Sequence, residues 1–282
     1  MKKKLLKALS LVMAAVALVA ITIAGTAAYF TSSSAVTNTF TIGKVGISMY
    51  ESYVTSEGKI DTAKTPVGSI KNSNGNNYHL QPGGNYAKDP TIYVDAASDA
   101  SFLFVKARNQ ISTIEDPGDH GLMREQMLKN GFVLFETTST GNVYVFAGTI
   151  TGNKNVPLDL EDSADAAKYE ANFEKDTLGN YVKDSNDQRK LVPIKGSSTA
   201  VGGTGAMQTI DLFSEFSVIN NEDGTIQFEV YGGAKVTLTA FAIQTTGFVD
   251  DSDLSQEGAK TAEQKAWDAI VATYPYESGS GS

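Results

Sequence analysis

The sequence predicts an all-β domain: a jelly-roll-like antiparallel β-sandwich with a few short helices and a C-terminal helix. Three observations lead there. Runs rich in β-branched and aromatic residues recur along the chain, separated by Gly, Asn, Asp and Pro. Phe102-Leu103-Phe104-Val105 is continuously apolar, the pattern of a strand buried on both faces. The chain has 282 residues and no cysteine, so one large packed core must hold it together without disulfides.

Taken in order, residues 1–28 read as a secretory leader. Lys2, Lys3, Lys4 and Lys7 form a basic start, residues 9–23 are almost wholly apolar, and Ala24-Gly25-Thr26-Ala27-Ala28 supplies small residues. Charge stays on the cytoplasmic side, a short helix enters the bilayer, and a small-residue site fits a peptidase. Cleavage is expected after Ala27 or Ala28. The alternative is a retained anchor, since residues 8–28 carry no charge and about 20 apolar residues span a bilayer. The small residues at the end of the run favour cleavage, so membrane contact is expected only through the leader.

Residues 29–44 form an N-terminal segment ahead of a single domain at 45–276. The run 40–50 reads as the first strand, but its apolar parity changes. Val36, Phe40 and Ile42 share one parity and Val45, Ile47 and Met49 the other, so a bulge or bend is expected at Gly43-Lys44. Further strands are expected at 59–70, 91–94, 101–108, 131–136, 142–150, 208–219, 225–231 and 235–246. Leu80-Gln81-Pro82-Gly83-Gly84-Asn85 and Asn220-Asn221-Glu222-Asp223-Gly224 read as turns.

Three helices interrupt the strands. Residues 121–129 carry Met123 and Met127 one turn apart, with Gly131 past the end. Residues 162–175 form the second, inside a polar excursion at 151–207 whose stretches 184–190 and 196–205 read as mobile loops. The third spans 261–274: Thr261 and Gln264 fit a capping box, and Pro275 stops it. Its stripe of Ala262, Ala266, Trp267, Ile270, Val271 and Tyr274 must be buried somewhere. The Gly/Ser-rich 277–282 reads as a flexible tail.

Charge and residue usage narrow the function. The net charge is −9, and removing the leader lysines makes the remainder more acidic still. Such a chain is a poor partner for nucleic acid or anionic lipid. Without cysteine there is no thiol catalysis or thiolate metal site. His79 and His120 are the only histidines, far apart in sequence and in polar surroundings, so neither reads as a metal ligand. No G-x-S-x-G elbow is present. Glu115-Asp116, Glu161-Asp162 and Asp250-Asp251 read as solvated turns or helix starts. Asp250-Asp251-Ser252-Asp253 lacks the spacing of a calcium loop. No catalytic residue, metal site or cofactor is therefore assigned, and the chain reads as a non-enzyme.

The order of parts nevertheless resembles a known family. "AYFT" follows the leader, then come "SAVTNTFTIGKVGISMYE", "PGG…KDPTIYVDA", "SFLFVKARNQI", "LTAFAIQTTGFVD" and "AWDAIV". This ordered set, over residues 1–111 and 211–271, is similar to the TasA/camelysin family of secreted bacterial fibre proteins, with a SipW-type leader. The resemblance implies a jelly-roll-like fold, a location in the extracellular matrix or at the cell surface of a bacterium, and self-association into biofilm-matrix filaments. It also implies an accessory matrix or anchoring protein as a partner. In such fibres the N-terminal segment of one subunit adds as a strand to the next, which makes Val36, Phe40 and Ile42 the candidate donor anchors. The other partner open to that strand is the chain's own sheet. Two further functions stay open: a camelysin-like secreted metallopeptidase, for which no zinc motif is visible, and a surface adhesin using the excursion.

Overall fold

The computed structural model describes residues 31–33, 36–42, 44–65, 72–148, 156–222 and 224–274. The expected leader with its expected cleavage residues Ala27 and Ala28, and the expected tail at 277–282, lie outside the described residues.

The strands are β1 (Thr31–Ser33), β2 (Val36–Ile42), β3 (Ile47–Tyr50), β4 (Asn77–His79), β5 (Asn85–Ala87), β6 (Thr91–Val94), β7 (Ser101–Asn109), β8 (Glu115–Asp116), β9 (Phe132–Thr138), β10 (Gly141–Phe146), β11 (Gln208–Asp211), β12 (Glu215–Val218) and β13 (Val236–Gln244). The α-helices are α1 (Met123–Lys129), α2 (Ser163–Tyr169) and α3 (Ala262–Thr273). They build the expected jelly-roll-like β-sandwich. One layer is a five-stranded sheet in the order β2-β13-β7-β10-β9. Two three-stranded sheets, β11-β6-β3 and β5-β12-β8, oppose it, and β1 pairs with β4.

The continuous apolar runs behave as their pattern demands. Along β7, Leu103 and Val105 point into the main core while Phe102 and Phe104 point the other way. β13 divides likewise, with Leu238, Ala240 and Ala242 inward and Phe241 and Ile243 outward. The five-stranded sheet thus needs cover on both faces. The two smaller sheets cover one, through residues such as Ile47, Ile92, Tyr86 and Phe216. Helix α3 covers the other: Ala266, Trp267 and Ile270 are buried against Phe104, Phe135 and Phe241. Trp267 lies 5.2 Å from Phe104 and 5.5 Å from Phe241 between ring centres, and its indole N–H donates to Glu136 at 2.8 Å. The capping box forms, the Thr261 N–H donating to Gln264 Oε1 at 2.9 Å.

Helix α1 stops where a side chain cannot follow. Gly131 has φ +92°, and a Cβ there would stand 2.0 Å from the Gly148 carbonyl oxygen.

Several elements differ from expectation. The run 40–50 divides into β2 and β3 in different sheets, with a bend at Lys44, as the parity change predicts; Gly43 lies outside the described residues. The run 208–219 also divides, because Leu212 and Phe213 are both buried in succession and break the alternation, so β11 and β12 enter different sheets. Residues 225–231 are not a strand. Phe228–Tyr231 is a 3₁₀ turn in which Phe228 alone is buried, and the Asn221 side chain closes the preceding loop by bonding both backbone groups of Ile226. No strand forms over 59–65, where one bridge joins Ile60 to Val54; 66–70 lie outside the described residues. Helix α2 ends at Tyr169 and a 3₁₀ turn (Glu170–Asn172) follows, so Phe173 leaves helical geometry and bridges Leu191.

The excursion is more tied down than its polarity suggests. Leu158, Leu160, Tyr169, Phe173 and Leu191 join the main core. In 184–190, Asp184 pairs with Arg124 at 3.1 Å and Gln188 donates to the Ser112 carbonyl at 2.9 Å. In 196–205, Val201 is buried and bridges Ser101.

Candidate assembly edge

The N-terminal arm crosses the molecule in two steps. β1 runs antiparallel to β4, with Thr31 opposite His79 and Ser33 opposite Asn77. β2 then lies parallel to β13, with Val36 opposite Leu238, Phe40 opposite Phe241 and Ile42 opposite Ile243. The register shifts between Leu238 and Ala240. After the bend at Lys44 the chain enters the opposite layer as β3, where Ile47 and Met49 are core residues. Of the two partners the sequence left open for Val36–Ile42, this single chain uses its own sheet, so the strand is occupied rather than free. The anchoring role of the Val36, Phe40 and Ile42 side chains lies outside the described residues.

The geometry of this edge sets what it can do. β13 pairs with β7 at every position from Val236 to Gln244, so one side of its backbone is fully used. Its other side is closed by β2 alone, through a ladder with a fault in it. Parallel pairing is slightly weaker per residue than antiparallel. Were β2 to leave, the outer N–H and C=O groups of β13 would stand open between two buried faces, a template for any extended strand. The far edge of this sheet is protected differently, since the Ile194 N–H donates to the Leu134 carbonyl of β9 at 2.7 Å.

The residues weighed for chemistry are placed apart. His79 is exposed at the end of β4. His120 lies with its Nδ1 against the Glu215 carboxylate. Asp250 accepts the Ala262 N–H, Asp251 accepts the Lys260 N–H and pairs with Lys265 at 2.8 Å, and Asp253 accepts from Ser255 and Gln256. Asp162 caps α2 by accepting the N–H groups of Ala164 and Asp165. Among the described residues, no group of three or more His, Asp or Glu is placed to hold a metal ion. No helix among them is long and apolar enough to cross a membrane.

Glu115 departs from the solvated turn expected of it. It is buried in β8, where it accepts the Met123 N–H at the start of α1 and the Asn109 amide at 2.7 Å. Burial pushes its carboxyl up to about 7, against the pull of those hydrogen bonds and of Arg124. It borders a cleft of about 270 Å³ that is also lined by Arg124, Met127, Tyr144 and Asp184.

One polar cluster gave no notice of itself in the sequence. Glu51, Asn76 and Lys88 are far apart along the chain, yet all three are buried together. Only the turn at 80–85, which folds residues 72–79 back toward 85–88, hints at such a meeting.

Comparison of the chain with protein-family models, with curated proteins and with solved structures found no match.

Proposed function

We propose that this chain is a secreted structural subunit that assembles head-to-tail into extracellular fibres, giving its N-terminal strand to the sheet of a neighbour. One observation supports this reading most: β2 is an edge strand on a faulted parallel ladder, carried by an arm that precedes the domain. An arm that closes its own sheet in one chain can close a neighbour's by the same contacts, so exchange needs no new interface. Because the contact does not close on itself, repetition gives a filament rather than a ring. The family resemblance of the chain ends points the same way. The subunit is exported through its leader, and acts in the matrix or at the cell surface of a bacterium, with an accessory or anchoring protein as a further partner.

The structure sharpens the test. A deletion running to Tyr50 would remove Ile47 and Met49 from the core, so the informative deletion is 29–42. The mature protein should form filaments under the electron microscope. The 29–42 deletion should remain folded and monomeric, and a synthetic 31–42 peptide should bind it. Normal filaments from the deleted protein would end the donor-strand reading.

A further inference from the structure

We propose that Lys88 and Asn76 join in an intramolecular isopeptide bond, formed by the protein itself with Glu51 carrying the protons. The proposal rests on the buried cluster alone and is independent of the assembly reading.

The Lys88 and Glu51 side chains are fully buried and 2.7 Å apart, Nζ to Oε2. The other oxygen of Glu51 accepts the Asn76 amide at 2.8 Å. One carboxylate therefore touches both an amine and the nitrogen of a carboxamide, away from water. The Asn76 carbonyl oxygen is held as well: it accepts the Val54 N–H at 3.2 Å and the Asn72 side-chain amide at 3.0 Å. Two donors aimed at the oxygen of an amide whose nitrogen faces an acid–base group make the arrangement that acyl transfer requires. Tyr78 and Tyr86 are buried two residues from Asn76 and Lys88; Tyr86 stacks on Phe216 and Tyr78 meets it edge-on, walling off this end of the core.

The chemistry closes without any other reactant. Glu51 Oε2 takes a proton from Lys88 Nζ, which replaces a buried charge pair by a neutral one. The freed amine attacks Cγ of Asn76, and charge develops on the oxygen held by Val54 and Asn72. The carboxyl delivers a proton to Asn76 Nδ2, and Nζ gives up its second proton to Glu51. The Cγ–Nδ2 bond breaks as the Nζ–Cγ amide is completed. The nitrogen leaves as ammonia, which carries the remaining proton away as ammonium, so the carboxylate is restored. Nothing is oxidised or reduced. The product ties the residue before β4 to the residue after β5, giving a cysteine-free chain a covalent clamp.

Intact-mass spectrometry of the full folded protein reads the outcome. One lost ammonia makes the chain about 17 Da lighter than its sequence. Because Asn74-Gly75 can also lose ammonia by cyclising, peptide mapping decides: a branched peptide linking Asn76 to Lys88 is expected. Lys88→Arg keeps the charge but not the nucleophile, and Glu51→Gln keeps both reacting groups but not the proton carrier; both should lose the branched peptide. A folded wild-type protein of unreduced mass, with Asn76 and Lys88 in separate unlinked peptides, overturns the proposal whatever the variants do. A branched peptide surviving in Glu51→Gln would overturn the role of Glu51.

Discussion

Glu115 shows how one buried side chain sets a condition on the whole fold. Its carboxyl titrates at about 7 in the folded chain, against 4.5 for an exposed glutamate, because burial disfavours the charge. Between those values the folded chain holds a proton that the unfolded chain has lost. Stability therefore falls as pH rises from about 4.5 to about 7 and levels off above, by an amount on the order of 3 kcal/mol. Arg124 opposes the rise and Glu125 adds to it. Glu115→Gln should flatten that slope in urea unfolding measured across the window, while retaining an acceptor for the Met123 N–H. An unchanged slope would assign the pH dependence to another group. Neither this burial nor that of Lys88 was legible in the sequence. A charged residue in a polar stretch reads as solvated, and only the fold brings Asn109, Met123 and Arg124 around Glu115, or sets Glu51 between Asn76 and Lys88.

Two elements at opposite ends of the chain invite contrasting experiments. α3 closes the outer face of the large sheet, so Trp267→Ala should cost about 3–5 kcal/mol, the usual penalty for emptying a large aromatic site. The loss should appear as a lower urea midpoint with assembly intact below it. Phe40 sits in β2, opposite Phe241. Phe40→Asp should leave the urea midpoint near that of the parent and abolish filaments; equal damage to both would make β2 a fixed part of its own sheet. The sequence made α3 visible because its stripe had one side and its cap two residues, Thr261 and Gln264. It made the division of 40–50 visible through parity. It hid β1, β4, β5 and β8, which are two or three residues long and carry no period to read. It misled at 225–231, where apolar residues alternate but side-chain bonds from Asn221 and the following Gly232-Gly233 favour a turn. The partner of β2 could not be read at all, because pattern specifies a strand's faces and not its neighbours.

At the scale of the molecule, charge opposes association. Subunits freed of the leader lysines are more acidic than the −9 of the full chain, and they repel one another until salt screens them. The lag before filament growth, followed by light scattering, should shorten as ionic strength rises from about 0.01 M to about 0.15 M, over which the screening length falls from about 30 Å to about 8 Å. A longer lag at higher salt would point to ion pairs, rather than backbone pairing and apolar contact, as the attraction between subunits. The sandwich itself was legible from its long strands. The cover over each face of the large sheet was legible only in part: the sequence demanded that α3 be buried but did not say where.

Among the described ladders, β2 on β13 is parallel and every other is antiparallel. A strand entering β13 in the opposite sense would meet a different spacing of donors and acceptors. Subunits linked through this ladder therefore cannot alternate direction, and a filament made of them has two unlike tips. One tip shows a vacant groove along β13, and the other an arm with nothing to hold. A subunit without its arm could dock at one tip only, and having docked could not be extended. Small amounts of the 29–42 deletion mixed with intact protein should act as a chain terminator, shortening filaments far out of proportion to their share.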